Sequence, residues 1–459
     1  MRSLAHPGAL AYSMTTLGAG LMNNMFTFYY VKLFLTKYRI SEASFHQSQV
    51  IYMIWNALND PLFGYLQDNS QLACCSHRRL SILYGAPLYS LAFLLAWFPW
   101  RAYTPSDWLS GFHLTLTLCA FDGMLTFVLL AQCALFAEIS GHHHTRLKLI
   151  KYSQVASLVG ASSVLFSGIV SKNMENFAAL QVRLCVLACV CMLYTGLRGE
   201  GRFDAKNSEG NDSGQGRAPL SLGAVLSLSC QILANRDFQI FVVMNFCQVF
   251  MLSFCNNFTI ILAEQLIPSE TLPPLARSLM FGAGFICPQL LVLGSQALLV
   301  RLGYFKLILF SFWLEAGASL LMLMIGPNSP HLLALFLTSN MVLVQASFSL
   351  FNLPLADIID SDLQKHKRSS PLSSMVFGTN ALFTKPAQSL APMLAVSVLN
   401  RYSYAELDEL DSRAVESLRG CMFLLVCLLP LCVSLLQMCV WRLFSIRDSH
   451  TLDTKYTDG

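Results

Sequence analysis

Apolar residues come in long runs separated by short polar stretches, and the lengths of those runs predict the architecture. A helix that crosses a bilayer needs about 20 mostly apolar residues. Runs of that size lie at 8–35, 45–66, 80–100, 108–137, 152–171 and 178–197, and again at 236–262, 275–299, 304–326, 331–353, 372–397 and 418–441. Between the two sets, 198–217 is rich in Gly, Asp, Asn, Ser and Lys. That composition cannot bury a core and reads as a disordered linker. The segment 218–233 reads as an amphipathic lead-in at the membrane interface. The expectation is an all-α membrane protein with twelve transmembrane helices in two six-helix bundles, 1–197 and 236–441. A cytoplasmic linker, 198–235, joins them, and a tail, 442–459, follows. The first run, from Pro7 to Val31, is too long for a signal-peptide core and has no cleavage site after it, so it reads as the first span.

Composition narrows the class. Of 459 residues, 54% are hydrophobic and 12% charged, about half the ~25% charged content of soluble domains. A soluble enzyme is excluded. The balance of 30 Lys and Arg against 26 Asp and Glu is too even for a nucleic-acid binder. Most of the 15 cysteines sit inside apolar runs, as Cys185, Cys189 and Cys191 do, and read as small hydrophobes. No Cys-x-x-Cys occurs, which argues against zinc and redox chemistry. The phosphate-binding Gly-x-x-x-x-Gly-Lys-Ser/Thr, His-Glu-x-x-His and Gly-x-Ser-x-Gly are missing too, so neither a primary pump nor a hydrolase is expected. His142, His143 and His144 read as solvated loop residues, and Cys74 and Cys75 as acylation candidates beside a membrane end.

Sidedness follows the distribution of Lys and Arg. With both termini in the cytoplasm, 19 of the 30 lie on that side, 10 lie outside and Lys385 lies within a span. The first span runs against this sum, since Lys32, Lys37 and Arg39 follow it and only Arg2 precedes it.

Charges inside spans mark the candidate chemistry, because each costs at least ~2.5 kcal/mol in hydrocarbon and calls for a partner or a function. Four stand near mid-span: Asp60, Asp122, Glu315 and Lys385. In IYMIWNALNDPLFGYLQD, Tyr52, Asn56, Asp60 and Gly64 recur every four residues and share a helix face. Pro61 frees a backbone carbonyl one turn earlier. In the eleventh span Ser373, Phe377, Asn380, Thr384 and Gln388 form a stripe beside Lys385, whose natural counter-charges are Asp60 or Asp122. The polar faces Asn245, Gln248, Asn256 and Thr259, and Gln345, Ser349 and Asn352, suit a water-accessible cavity or interhelical hydrogen bonds.

The run Trp55-Asn56-Ala57-Leu58-Asn59-Asp60-Pro61, with Gly64 and Asp68 after it, resembles the second-span signature of the glycoside-pentoside-hexuronide:cation symporters, a branch of the major facilitator superfamily. Further matches are Asp122, the stretch Ala134 to Ser140 leading to Arg146, Asp357 and Asp360 before the basic Lys365 to Arg368, and Lys385. The resemblance implies the major-facilitator fold, alternating access and a sugar-type solute coupled to sodium or protons. It implies a coupling site of Asp60, Asn56 and Lys385, and a substrate cavity with Asp122, Thr126, Asn380, Thr384, Gln388, Gln248 and Asn256. A cytoplasmic gate would comprise Asp68, Arg78, Arg79, Glu138, Arg146, Asp357 and Asp360. Asn56 stands where the family has a second cation-site aspartate, Thr15 and Thr16 lie where a sugar-holding aspartate is found, and Thr126 replaces a stacking aromatic. A single carboxylate favours protons over sodium.

The expected activity is therefore secondary-active transport of a small solute, with a lysophospholipid-like solute or a non-transporting scaffold as alternatives. The expected partners are the lipid bilayer, the solute and H+, with no nucleic acid, cofactor or metal. A monomer in the plasma membrane is the first expectation, with an organelle membrane as the alternative.

Two tests follow. Epitope tags at residues 1, 210 and 459 should become accessible together and only after permeabilisation; exposure of the residue 210 tag alone in intact cells would break the six-plus-six arrangement. Asp60→Asn and Lys385→Gln should each lower thermal stability, and the double change should recover much of the loss, because removing one partner leaves the other charge uncompensated. Simple addition of the two effects would show that the residues are not partners.

Overall fold

Within a bilayer every backbone N–H and C=O must find its partner inside the chain, which restricts the apolar runs to helices. The structure is a computed structural model and describes residues 7–69, 77–104, 107–139, 143–170, 177–198, 230–268, 270–366, 373–402, 404 and 412–446. The linker at 199–229 and the tail from 447 lie outside the described residues.

Fourteen α-helices occur among the described residues. They are α1 (Pro7–Lys32), α2 (Glu42–Asn69), α3 (Arg78–Leu95), α4 (Trp108–Ile139), α5 (His143–Val170), α6 (Phe177–Arg198), α7 (Arg236–Leu266), α8 (Pro274–Gly294), α9 (Gln296–Ile325), α10 (Pro330–Leu350), α11 (Asn352–Lys365), α12 (Ser373–Thr384), α13 (Pro386–Asn400) and α14 (Ser412–Trp441). Seven helices in the described residues are long and apolar enough to cross a membrane, among them Arg236–Leu266 and Arg413–Trp441.

Several boundaries differ from those the apolar runs predict, each for a local reason. The eleventh run is divided at Lys385, because Pro386 has no N–H to return to the preceding turn. The Lys385 amide still bonds the Ala381 carbonyl at 2.9 Å, so the break is a proline kink rather than an end. The ninth run begins earlier than expected and bends at Gly303, whose φ of 75° and ψ of 161° suit glycine alone. The first helix closes in a π-turn, Leu33–Lys37, and Arg39 takes a φ of 47° as the chain reverses. His143 and His144 open α5 instead of lying on a loop.

The chain divides into two compact units, residues 1–217 with 274–282, and 218–273 with 283–459. In the first unit α1 packs against α5 and α6, α4 against α2 and α3, and α3 against α6. In the second, α7 packs against α13 and α14, and α9 against α10 and α14. The packing partners of α1 and α3 thus recur around α7 and α9.

Outside the spans, the turn between α3 and α4 is held by Asp107. Its Oδ1 accepts the Leu109 amide at 3.1 Å and its Oδ2 accepts Arg101 Nη2 at 2.6 Å. The first is a helix cap, and the Arg101 guanidinium holds the Asp107 carboxyl below the usual carboxylate range. Tyr38 reaches the same turn, donating to the Ala96 carbonyl at 2.9 Å.

The two glycines of α9 separate backbone strain from simple helix propensity. Gly303→Ala should lower stability by about 1–3 kcal/mol. Gly317 is helical with open space around its Cα, so Gly317→Ala should be neutral or stabilising by up to about 1 kcal/mol. Thermal unfolding of both variants in one detergent measures the contrast, and equal effects would remove the strain from Gly303.

Candidate functional site

In the first unit the polar residues of α2 gather against α4. Tyr52 and Asn56 are buried and one turn apart, with Asn56 Nδ2 3.4 Å from the Tyr52 hydroxyl. Asn59, three residues further on, is fully buried. Its amide donates to Asp122 Oδ2 in a short hydrogen bond and lies 3.5 Å from Thr126 Oγ1. Tyr52 also interacts with Asp122. The helices approach closely here because Gly123 has no side chain: a Cβ there would stand 3.1 Å from the Trp55 ring. The buried indole Nε1 of Trp55 has no hydrogen-bond acceptor among the described residues. Above the cluster Phe121 stacks on Phe26 at 3.9 Å, with Tyr89 at 5.1 Å.

Asp60 follows Asn59 and is half-buried. A step of about 100° around the helix separates the two, and it is the Asn59 amide that meets Asp122 Oδ2. The four-residue spacing in the sequence points to Asp60, whereas Asn59 lies seven residues from Tyr52 and three from Asn56. That second periodicity was the available signal for it. Nearby, Gln132 Nε2 donates to Thr16 Oγ1 at 2.6 Å, which places a sequence-predicted hydroxyl of α1 against α4.

The second unit arranges its predicted cavity residues in three sets around α7. Asn245 Nδ2 donates to Asn380 Oδ1 at 3.2 Å, and Thr384 returns its hydroxyl to the Asn380 carbonyl at 2.9 Å. Gln345 Nε2 donates to Asn256 Oδ1 at 2.9 Å. Gln248 is buried; its Nε2 donates to the Val344 carbonyl at 2.8 Å, and its Oε1 accepts from Gln437 Nε2 at 2.9 Å. Gln437 escaped sequence reasoning because it is a lone amide in an otherwise apolar run. Gln388 offers its backbone carbonyl to Ser253 Oγ at 3.0 Å. Lys385 is half-buried at the kink between α12 and α13. Glu315 is buried in α9, and its Oε1 has no hydrogen-bond partner among the described residues.

Of the predicted gate, Arg78 Nη1 donates to the Gln67 carbonyl at 3.0 Å, tying the start of α3 to the end of α2. Arg79 is half-buried beside it. Asp357 is buried, and its Oδ2 accepts the Tyr304 hydroxyl at 2.6 Å, which links α11 to the Gly303 bend. The side chains of Asp68, Glu138, Arg146 and Asp360 lie outside those described.

The family model described as MFS/sugar transport protein matches residues 11–448. The chain belongs to that family. It is 29% identical to transmembrane protein 180 of Gallus gallus, over 96% of this chain and 92% of that protein. It is 30% identical to transmembrane protein 180 of Mus musculus, over 96% and 93%. Among solved structures the fold resembles the nucleoside transporter NupG, with a TM-score of 0.65 at 13% identity over 95% of this chain and 100% of that one. It also resembles a bacterial homologue of the human lysosomal transporter Spinster, with a TM-score of 0.61 at 12% identity over 95% and 96%. The fold is that of major-facilitator transporters, and the chain is an integral membrane protein.

Proposed function

We propose that the chain is a secondary-active symporter of the sugar:cation type that moves a small polar organic solute with protons. Its twelve spans form two six-helix bundles, and it works as a monomer in the plasma membrane. The observation that carries this reading is the cluster Tyr52, Asn56, Asn59, Asp122 and Thr126, with the unmatched indole donor of Trp55 beside it. A carboxylate at membrane depth is costly, so its retention points to a function. Hydroxyls of a solute would donate to Asp122, while Trp55 and Asn56 supply donor and acceptor groups around it.

Asp60 is proposed as the proton carrier. Asn56, one turn before it, adds an amide oxygen but no charge, so the site offers one carboxylate that protonation alone can neutralise. A sodium ion would need several oxygens arranged around it.

Comparing the solute content of cells with and without the chain identifies the cargo, and uptake into proteoliposomes then tests the roles. Asp122→Asn should reduce uptake at least tenfold, in keeping with the ~1.5–3 kcal/mol of a hydrogen bond to a charged group. Asp60→Asn should retain solute exchange but lose accumulation driven by a pH gradient. Uptake that requires sodium at constant pH would refute the proton assignment. A cargo of lysophospholipid type would replace the polar solute, and no change in any solute would favour the scaffold.

A further inference from the structure

The second unit holds a short strap that transport does not explain. Helix α14 ends at Trp441 and the chain turns, the amides of Leu443 and Phe444 bonding the carbonyls of Val440 and Trp441 at 3.0 and 3.1 Å. Phe444 is buried and stacks on Trp441 with ring centres 4.7 Å apart. Trp441 in turn stacks on Phe305, beside the Gly303 bend, and donates its Nε1–H to the Phe305 carbonyl.

Ser445 comes next, exposed, and it pins the strap to the start of α7. Its amide donates to Asp237 Oδ1 at 2.8 Å and its hydroxyl donates to Asp237 Oδ2 at 2.6 Å. Both carboxylate oxygens are thus engaged by one residue. One position later, the Ile446 carbonyl lies 3.4 Å from the Tyr304 hydroxyl, the group that donates to Asp357 at 2.6 Å. The strap therefore touches the start of α7, the bend of α9 and, through Tyr304, a residue of the predicted gate.

We propose that Ser445 is a phosphorylation site for a basophilic serine/threonine kinase, and that its modification releases residues 442–446 from α7. Arg442 stands three residues before Ser445, the placement such kinases read. The kinase transfers the γ-phosphoryl group of ATP to Ser445 Oγ. The new bond is P–O, the hydroxyl proton goes to the kinase's base, and ADP leaves.

The consequence is local electrostatics. The O–H that faces Asp237 Oδ2 disappears, and about 1.5 to 2 negative charges arrive where a carboxylate oxygen already stands in contact. The positive end of α7 and the exposed Arg236 attract anions, but Asp237 already occupies that end. Asn235 Oδ1 accepts the Asp237 amide at 3.0 Å, so that first-turn donor is taken as well. Repulsion prevails, the strap lifts, and Phe444 leaves Trp441. In cells this rests on the cytoplasmic placement of the C-terminus; in solution it does not.

The test uses the purified full-length chain in detergent, ATP and the catalytic subunit of cyclic-AMP-dependent protein kinase, with mass spectrometry and hydrogen exchange as readouts. Phosphate should appear on Ser445, and amides of 442–446 should exchange at least tenfold faster than in the unmodified chain. Asp237→Asn should shrink that acceleration, since the repelling charge is gone, and Ser445→Ala should abolish it. Absence of phosphate on Ser445 in the folded chain, when a peptide of residues 438–450 accepts it, would overturn the site. Phosphate on Ser445 with unchanged exchange would overturn the release, and an acceleration equally large in Asp237→Asn would overturn the role of that carboxylate.

Discussion

One constraint organises the structure: a polar side chain at membrane depth is stabilised where the protein supplies its partner, and one left over, as at Glu315 Oε1 or Trp55 Nε1 among the described residues, is costly. The hydrogen bond from Asn59 to Asp122 is where that constraint acts most strongly, because one partner is a carboxylate and the other is fully buried. Gly123 brings Trp55 of α2 over α4, Phe121 seats α4 against α1 and α3, and the amide then closes the gap. Packing and polar chemistry select the same helix register, as consistent local and global signals should.

The second unit meets the constraint with amides. Gln248 bridges α7 to α10 and α14, Asn245 bridges α7 to α12, and Gln345 bridges α10 to Asn256 on α7. Each bond of this kind contributes about 0.6 to 2 kcal/mol in membranes. Their number around α7 makes that helix the axis of its unit, as α1 is of the first by its packing. The polar cluster of the first unit is built on Asp122, whereas the bridges around α7 are neutral; the second unit keeps its charged Glu315 on α9 and Lys385 at the kink between α12 and α13.

Much of this was legible in the sequence, because helices follow from apolar length and the long runs fix where they lie. Asp122 and Thr126 could be named from their position in the fourth span and from the family resemblance. Asn59 had its own spacing to Tyr52 and Asn56, but that spacing alone does not rank it above Asp60, since adjacent residues on a helix differ only in direction and direction depends on what packs alongside. Gln437 and the Tyr304–Asp357 bond were hidden for a related reason: their partners lie 189 and 53 residues away in the chain. The bend at Gly303 could not be read beforehand, since a sequence records a glycine but not the sign of its φ.

Asn59 and Asp122 act as a coupled pair holding α2 to α4. A double-mutant cycle with Asn59→Leu, Asp122→Leu and the combined variant, read as stability of the purified protein in detergent, measures it without knowledge of the solute. Each single change leaves a buried polar group without its partner, whereas the double change leaves neither. A coupled pair gives a combined loss at least about 1 kcal/mol smaller than the sum of the single losses. Losses that add within about 0.5 kcal/mol would contradict it.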